Sequence, residues 1–391
     1  MDKFQKKTSR RIFLKDITSS IAALTIVNTR GSNISDLRED PGNDLKVFSK
    51  GQIGSLSIKN RLVRAATLER AGKDGYPTES YLKMYESQAK GGAGLILTGA
   101  MAVAVPVVYE SQIFIYHDRY NPGLEKIVKA VHNSDNSCKI MAQLIHFDDK
   151  YSPSGISWTD KDPRGIMSVE QIKSIINSFS EAIRRAENTG FDGVELNAHF
   201  VYLLSSFLSP HTNKREDEYG GSVENRVRLV REIVEQSRVL IGNDFPIMIK
   251  FNCDDSFSPD TTVEDGINID NFHLLASEIQ KAGFDAIEIS GNSWFREDIN
   301  SPDKESYFSK YTETLDLSIP VILTGGNRSL DNIEAIIKRG KIDFFGFARP
   351  FIREQDLAKR WYYEGSTVKS KCIRCNSCLS DKDPLHCLQE G

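Results

Sequence analysis

From residue 46 onward, short apolar runs alternate with longer segments in which apolar residues recur every three or four positions. Runs without a polar face fit strands covered on both sides, the mark of a parallel sheet built from βα units. They fall at 62–66, 95–99, 139–144, 193–196, 246–251, 286–289, 321–324 and 344–348. Helical periodicity fills 80–90, 123–132, 168–189, 222–241, 270–282, 306–315, 329–339 and 353–362. Eight strands, each followed by a helix, predict an α/β fold, a (β/α)8 TIM barrel. A doubly wound open sheet is the rival, but no convincing G-x-G-x-x-G follows an early strand. The segment 47–58, apolar with two glycines, predicts an N-terminal hairpin closing the bottom of the barrel. Gly94, Gly190, Gly283 and Gly340 stand where helices end, and Ser168, Ser222, Asp270 and Ser329 where helix N-caps are wanted.

Composition narrows the class. Hydrophobic residues at 39% and charged residues at 27% describe a globular protein with a sizeable core. Lys and Arg total 50 against 54 Asp and Glu, so no excess positive field is available to hold nucleic acid. A small-molecule substrate is the expected partner.

The first residues carry a different message. Ser9, Arg10, Arg11, Ile12, Phe13, Leu14 and Lys15 precede an uncharged, mostly small and apolar run at 17–27. This is the twin-arginine export pattern. The run is about half of the roughly 20 residues a stable span requires, so a cleaved signal is expected rather than a membrane anchor. The organisation predicted is a signal over 1–31, a linker over 32–45, a barrel over 46–365 and a cysteine-containing tail over 366–391. Twin-arginine systems carry folded proteins, and a cofactor inserted before export is the usual reason. Export to the periplasm would separate the protein from NADH and NADPH. A redox protein or quinone-linked partner would then be the electron donor, with NAD(P)H the donor for a cytoplasmic protein.

In a barrel the chemistry gathers at the C-terminal ends of the strands. After the seventh strand stand Thr324, Gly325, Gly326, Asn327, Arg328 and Ser329, and the eighth ends in Gly346, Phe347, Ala348, Arg349 and Pro350. Bare glycine backbone, a following helix N-terminus and Arg349 compose a phosphate site. The same residues also suit a plain tight turn. The phosphate could belong to a sugar in an aldolase or isomerase, for which Lys250 is the one plausible catalytic lysine, or to a flavin mononucleotide.

Three further stretches carry a family resemblance. They are Lys59, Asn60 and Arg61, then the run from Ala142 to His146, and the stretch 207–226, F-L-S-P-H-T-N-K-R-E-D-E-Y-G-G-S-V-E-N-R. Together they resemble the old yellow enzyme, or NADH:flavin oxidoreductase, family over about 47–361. The resemblance implies FMN with its phosphate on the loops after strands seven and eight. Ala65, Ala66, Thr67, the backbone near Ala100, and Gln143 would lie beside the ring. Lys250 would stand at its electron-rich end, where many relatives carry Arg. A buried Gln143 satisfied by backbone is the alternative for that residue.

Strand four supplies the substrate groups in this family. Relatives place His-x-x-His or His-x-x-Asn where this chain has Asn197 and Phe200. Asn197 keeps one hydrogen-bond donor and Phe200 has none, with a lost oxyanion donor typically costing about 3 kcal/mol in barrier. His199 stands one residue too early to replace it unless the loop is locally shifted. Tyr202 occupies the proton-donor position, with an aromatic core role as its alternative. The implied activity is hydride transfer to an electron-poor double bond or related acceptor. A flavoprotein that carries electrons or binds ligand without reducing alkenes is the other possibility.

Cys372, Cys375, Cys378 and Cys387 end the chain as C-x2-C-x2-C-x8-C. This spacing suits an iron–sulfur cluster or zinc. Larger relatives such as 2,4-dienoyl-CoA reductase hold a [4Fe-4S] cluster with similar cysteines after the barrel, although the later gaps are shorter here. Free thiols or disulfides formed after export remain open.

Overall fold

The structure, a computed structural model, describes residues 44–107, 110–148, 150–158, 163–256, 263–291, 304–365, 367, 369–379 and 386–389. The expected export signal and most of the linker lie outside the described residues. Strands β1 (Leu62–Arg64), β2 (Leu95–Leu97), β3 (Lys139–Ile145), β4 (Gly193–Ala198), β5 (Ile247–Asn252), β6 (Ala286–Ser290), β7 (Val321–Thr324) and β8 (Phe344–Phe347) pair in chain order, all parallel. β8 pairs back onto β1, which closes the barrel. Every residue of β4 to β8 is buried, which is why these runs show no alternation of apolar and polar positions.

Around the barrel lie α1 (Glu79–Lys90), α2 (Asn121–His132), α3 (Val169–Asn188), α4 (Val223–Ile241), α5 (Phe272–Lys281), α6 (Ser309–Thr312), α7 (Leu330–Ile337) and α8 (Leu357–Glu364). Ser168 caps α3 in a reciprocal box with Gln171, and Ser222 caps α4 through the Asn225 amide at 3.3 Å. The hairpin forms, pairing Gly51–Ile53 with Leu56–Ile58. Its Ile53 and Ile58 join a buried cluster with Val63, Leu95, Met141, Met248, Ala286, Ile322 and Phe344, so the hairpin plugs the lower end of the barrel.

Several local expectations fail for identifiable reasons. Asp270 is not a cap: α5 begins after Asn271, without a side-chain cap bond. Ser329 precedes α7, but its hydroxyl bonds Glu305 at 2.5 Å instead of the helix. The left-handed residue after α1 is Gly92, with φ +91°, not Gly94. Gly94 is needed for space, since a Cβ there would fall 2.4 Å from Asn60 Oδ1. The helix expected at 306–315 shrinks to the single turn of α6. The one at 353–362 splits into Arg349–Arg353 and α8, with Glu354 between them bonding the Lys371 amide of the tail.

Candidate active site

A cavity of about 260 Å³ opens at the C-terminal ends of the strands, and its wall is built by loops from around the whole barrel. Ala66, Thr67, Ala100, Gln143, Asn197, Tyr202, Lys250, Gly325, Gly326, Asn327, Ala348 and Arg349 all line it. Ala65, expected among them, does not. Its amide donates to Phe347 O and its side chain is fully buried between β1 and β8.

One end of the cleft suits a phosphate. Gly325 and Gly326, with φ +140° and +74°, turn sharply after β7, and Arg328 and Arg349 stand beside them. Side-chain guanidinium groups, not a helix terminus, bring the positive charge. The helix after β8 has five residues, and α7 starts behind Ser329, whose hydroxyl is held by Glu305. Asn327 is structural. Its Nδ2 donates to Leu323 O and Gly346 O, and its Oδ1 accepts from Ser306, so the side chain pins β7 to β8.

The far floor is a chain of buried polar groups. Gln143 donates to Glu195 at 2.6 Å and accepts from Asn197 at 3.1 Å. Its partners are thus side chains, not backbone, and its amide retains one hydrogen and one lone pair for a ligand. Lys250, opposite Glu288 in the β5–β6 ladder, ion-pairs with it at 2.7 Å. Burial, with Glu288 beside it, holds the Glu195 carboxyl well above the usual carboxylate range. Glu195 therefore tends to keep its proton, while Glu288 faces the Lys250 ammonium.

The strand-four loop supplies the remaining wall. Phe200 adopts a left-handed φ of +61°, and His199 and Phe200 both line the cleft beside Asn197 and Tyr202. His199 Nε2 lies 3.4 Å from Gly291 O. Burial, and then the charge of Lys250, push its pKa down to about 3, so the ring is neutral at pH 7 and its one N–H, on Nε2, points to that carbonyl. Tyr202 is held through its carbonyl, which accepts from Ser205 and Ser206 at 2.8 and 3.2 Å.

The tail belongs to the site, which sequence reasoning missed. Asn376 Oδ1 accepts from Arg349 at 2.5 Å, Arg374 bonds Tyr307 and Lys304 O, and Arg374, Asn376 and Cys378 line the cleft. Cys372, Cys375, Cys378 and Cys387 all face one adjoining cavity of about 110 Å³. Among the described residues, however, no three His, Cys, Asp or Glu side chains are grouped as metal ligands.

The fold and cleft thus define a (β/α)8-barrel protein with a phosphate-binding end and a polar, proton-bearing floor. The sequence model of the NADH:flavin oxidoreductase / NADH oxidase family matches residues 46–365, and the chain belongs to that family. It is 30% identical over 364 residues to a metal reductase of Desulforamulus reducens, covering 88% of this chain and 53% of the relative. To an NADPH dehydrogenase of Bacillus subtilis it is 29% identical, over 80% of this chain and 93% of the relative. It spans about half the length of several curated relatives it matches. In structure it superposes on a 2-naphthoyl-CoA reductase complex with a TM-score of 0.75 at 23% identity, covering 85% of this chain and 54% of that one, a likeness of fold. The family is one of FMN proteins, and the cleft fits FMN. Two glycines, Arg328 and Arg349 suit its phosphate, and Gln143 and Lys250 suit the polar edge of its ring.

Proposed function

We propose that the chain is an FMN-dependent reductase that delivers hydride to an electron-poor double bond or related acceptor. The observation that carries this reading is the union, in one cleft, of a phosphate end at Gly325, Gly326 and Arg349 with hydrogen-bond and proton donors at Asn197 and Tyr202. FMN, when bound, supplies the two-electron chemistry. Gln143 and Lys250 orient the polar edge of the cofactor, and Lys250 presents positive charge there. Asn197 donates to the acceptor's oxygen, and the donor lost at position 200 is not replaced by His199, whose one N–H points to Gly291 O. The Tyr202 hydroxyl gives a proton to the carbon beside the one reduced. The NADPH dehydrogenase relative supports NAD(P)H as donor. The motif around Arg10 and Arg11 supports twin-arginine export, with a redox protein or quinone-linked partner as donor in that setting.

The test is spectroscopic. Protein reconstituted with FMN is expected to be yellow, to bleach anaerobically with NADPH or dithionite, and to be reoxidised by 2-cyclohexenone. Folded protein without a flavin band refutes the cofactor. Bleached protein that no activated alkene reoxidises refutes the reductase in favour of an electron carrier. A flavin band in the periplasmic fraction, or its confinement to the cytoplasm, decides export.

A further inference from the structure

We propose that Asn252, at the end of β5, is a positioning residue: it clamps the peptide of Phe200 and so sets the Tyr202 hydroxyl against the substrate. This deepens the reductase reading and rests on it.

Strand pairing brings the two residues together. In the parallel register Asn197 stands opposite Lys250 and Ala198 opposite Phe251, so the chain leaves β4 beside Asn252. Asn252 is buried, and its side-chain amide meets both polar groups of one residue. Its Oδ1 accepts from the Phe200 N–H at 2.9 Å, and its Nδ2 donates to Phe200 O at 3.0 Å. The second Nδ2 hydrogen is directed to Asp255 Oδ1 at 3.4 Å, so both amide hydrogens are committed.

The clamp explains a strained residue. Phe200 holds φ at +61°, a region in which a bulky side chain is disfavoured. Strain of this kind persists where the surrounding structure imposes it, and it collects at functional sites. Two opposed bonds from one buried side chain impose it here. They also occupy the Phe200 backbone N–H, which therefore cannot stand in for the side-chain donor absent at this position.

From Phe200 the hold reaches Tyr202 directly. The Ser205 hydroxyl lies 2.7 Å from Phe200 O and 2.8 Å from Tyr202 O. The rings of Phe200 and Tyr202 meet edge to face, with centroids 5.8 Å apart, and both residues line the cleft. At the far end of the segment, Asp255 Oδ2 accepts from Ser209 Oγ at 2.6 Å and from the Ile267 amide at 2.7 Å. The stretch carrying Tyr202 is thus bracketed at both ends from the β5 side. In the reaction the C=C π bond breaks as one carbon takes hydride originating from the electron donor and its neighbour takes the Tyr202 proton, which water restores. Misplacing a reacting group by about 1 Å costs about a hundredfold in rate. Cofactor binding should be spared, since Lys250 is fixed by Glu288 and the phosphate end lies on other loops.

The test uses FMN-reconstituted Asn252→Leu, which fills the same space without polar atoms, and Asn252→Ser, which is too short to make both bonds and serves if the Leu variant does not fold. Deuterium exchange at the Phe200 amide, read by mass spectrometry, should quicken at least about tenfold as the local opening becomes easier. Reoxidation of dithionite-reduced protein by saturating 2-cyclohexenone should slow about ten- to a hundredfold. The FMN dissociation constant should stay within about twofold. In a Tyr202→Phe background the Asn252 substitution should slow reoxidation by less than about twofold more, because the clamp acts through the hydroxyl. Unchanged exchange overturns the clamp. Faster exchange with unslowed reoxidation, or a full further loss in the Tyr202→Phe background, overturns the positioning role. Unaltered protein that no activated alkene reoxidises overturns the reductase reading instead, and exchange then decides the clamp by itself, faster exchange upholding it.

Discussion

Replacing Glu69 with Gln removes one charge from an ion pair whose side chains are 0% and 2% exposed. Arg64 then keeps two neutral acceptors, Leu97 O at 2.9 Å and Thr67 Oγ1 at 2.7 Å, but no counter-charge. Breaking a buried pair from one side costs about 3–5 kcal/mol. For a barrel of 320 residues (46–365), unfolding entropy of about 2.1 cal/mol/K per residue makes this a fall of about 5–7 °C in melting temperature. The damage should reach the cleft. Glu69 accepts from Thr67 at 2.9 Å and from Tyr85 at 3.4 Å, and the Tyr85 hydroxyl accepts from the Gly99 amide at 2.9 Å. The loops after β1 and β2 therefore share this anchor. Calorimetric melting of FMN-free protein, with an FMN titration beside it, measures both effects, and weaker FMN binding is expected. The double variant Arg64→Met/Glu69→Leu leaves no uncompensated charge and should recover most of the lost stability. A Glu69→Gln melting point within about 1 °C of the unaltered protein, or a double variant less stable than either single one, would refute the reasoning.

Tyr202→Phe should slow alkene-driven reoxidation about 10²–10⁴-fold while leaving reduction by NADPH intact, a split that stopped-flow absorbance resolves. Gly326→Ala places a Cβ 2.4 Å from the Tyr307 ring at φ +74°. A stability loss of about 1–3 kcal/mol and a raised dissociation constant for FMN are expected, from melting and fluorescence titration. His146 is 7% exposed, its Nδ1 has no hydrogen-bond partner among the described residues, and burial pushes its pKa down to about 4. The unfolded imidazole, with pKa about 6.5, takes a proton first, so stability is complete above about pH 6.5 and falls by up to about 3 kcal/mol as pH drops toward 4. Urea unfolding at pH 4.5 and 7 should show a smaller difference for His146→Gln.

The barrel was legible because its strands are buried on both faces, so β4 to β8 appear as mainly apolar runs, broken by Glu195, Asn197, Lys250, Asn252, Glu288, Ser290 and Thr324. His199 lines the cleft from the strand-four loop, and Phe200 after it holds φ at +61°, a conformation that nothing in residue type announces for a phenylalanine. Asn327 looked like a phosphate ligand because it follows two glycines, yet its amide is spent on two carbonyls brought close by β7–β8 pairing. The tail was the least legible part. Cysteine spacing suggests chemistry but gives no direction, and only the Arg349–Asn376 and Arg374–Tyr307 contacts show that this segment closes over the phosphate end.

These contacts share a charge arrangement that bears on how the site works. Cations face the cleft, and three fully or almost fully buried carboxylates lie one layer beneath, each holding a residue of the wall. Glu195 fixes Gln143, Glu288 fixes Lys250, and Glu69 fixes Thr67. Lys250 and Glu288 offset one another as a pair and Glu195 is held toward its neutral form, so the floor carries little net charge although Lys250 lines the cavity. Placed in the wall itself, the same carboxylates would compete with any anionic ligand for the arginines. Placed behind it, they orient the donors and take less from the positive potential at the surface an anionic ligand would meet. A substitution that brings one of them forward, or removes it, should therefore change affinity for anions before it changes the barrel.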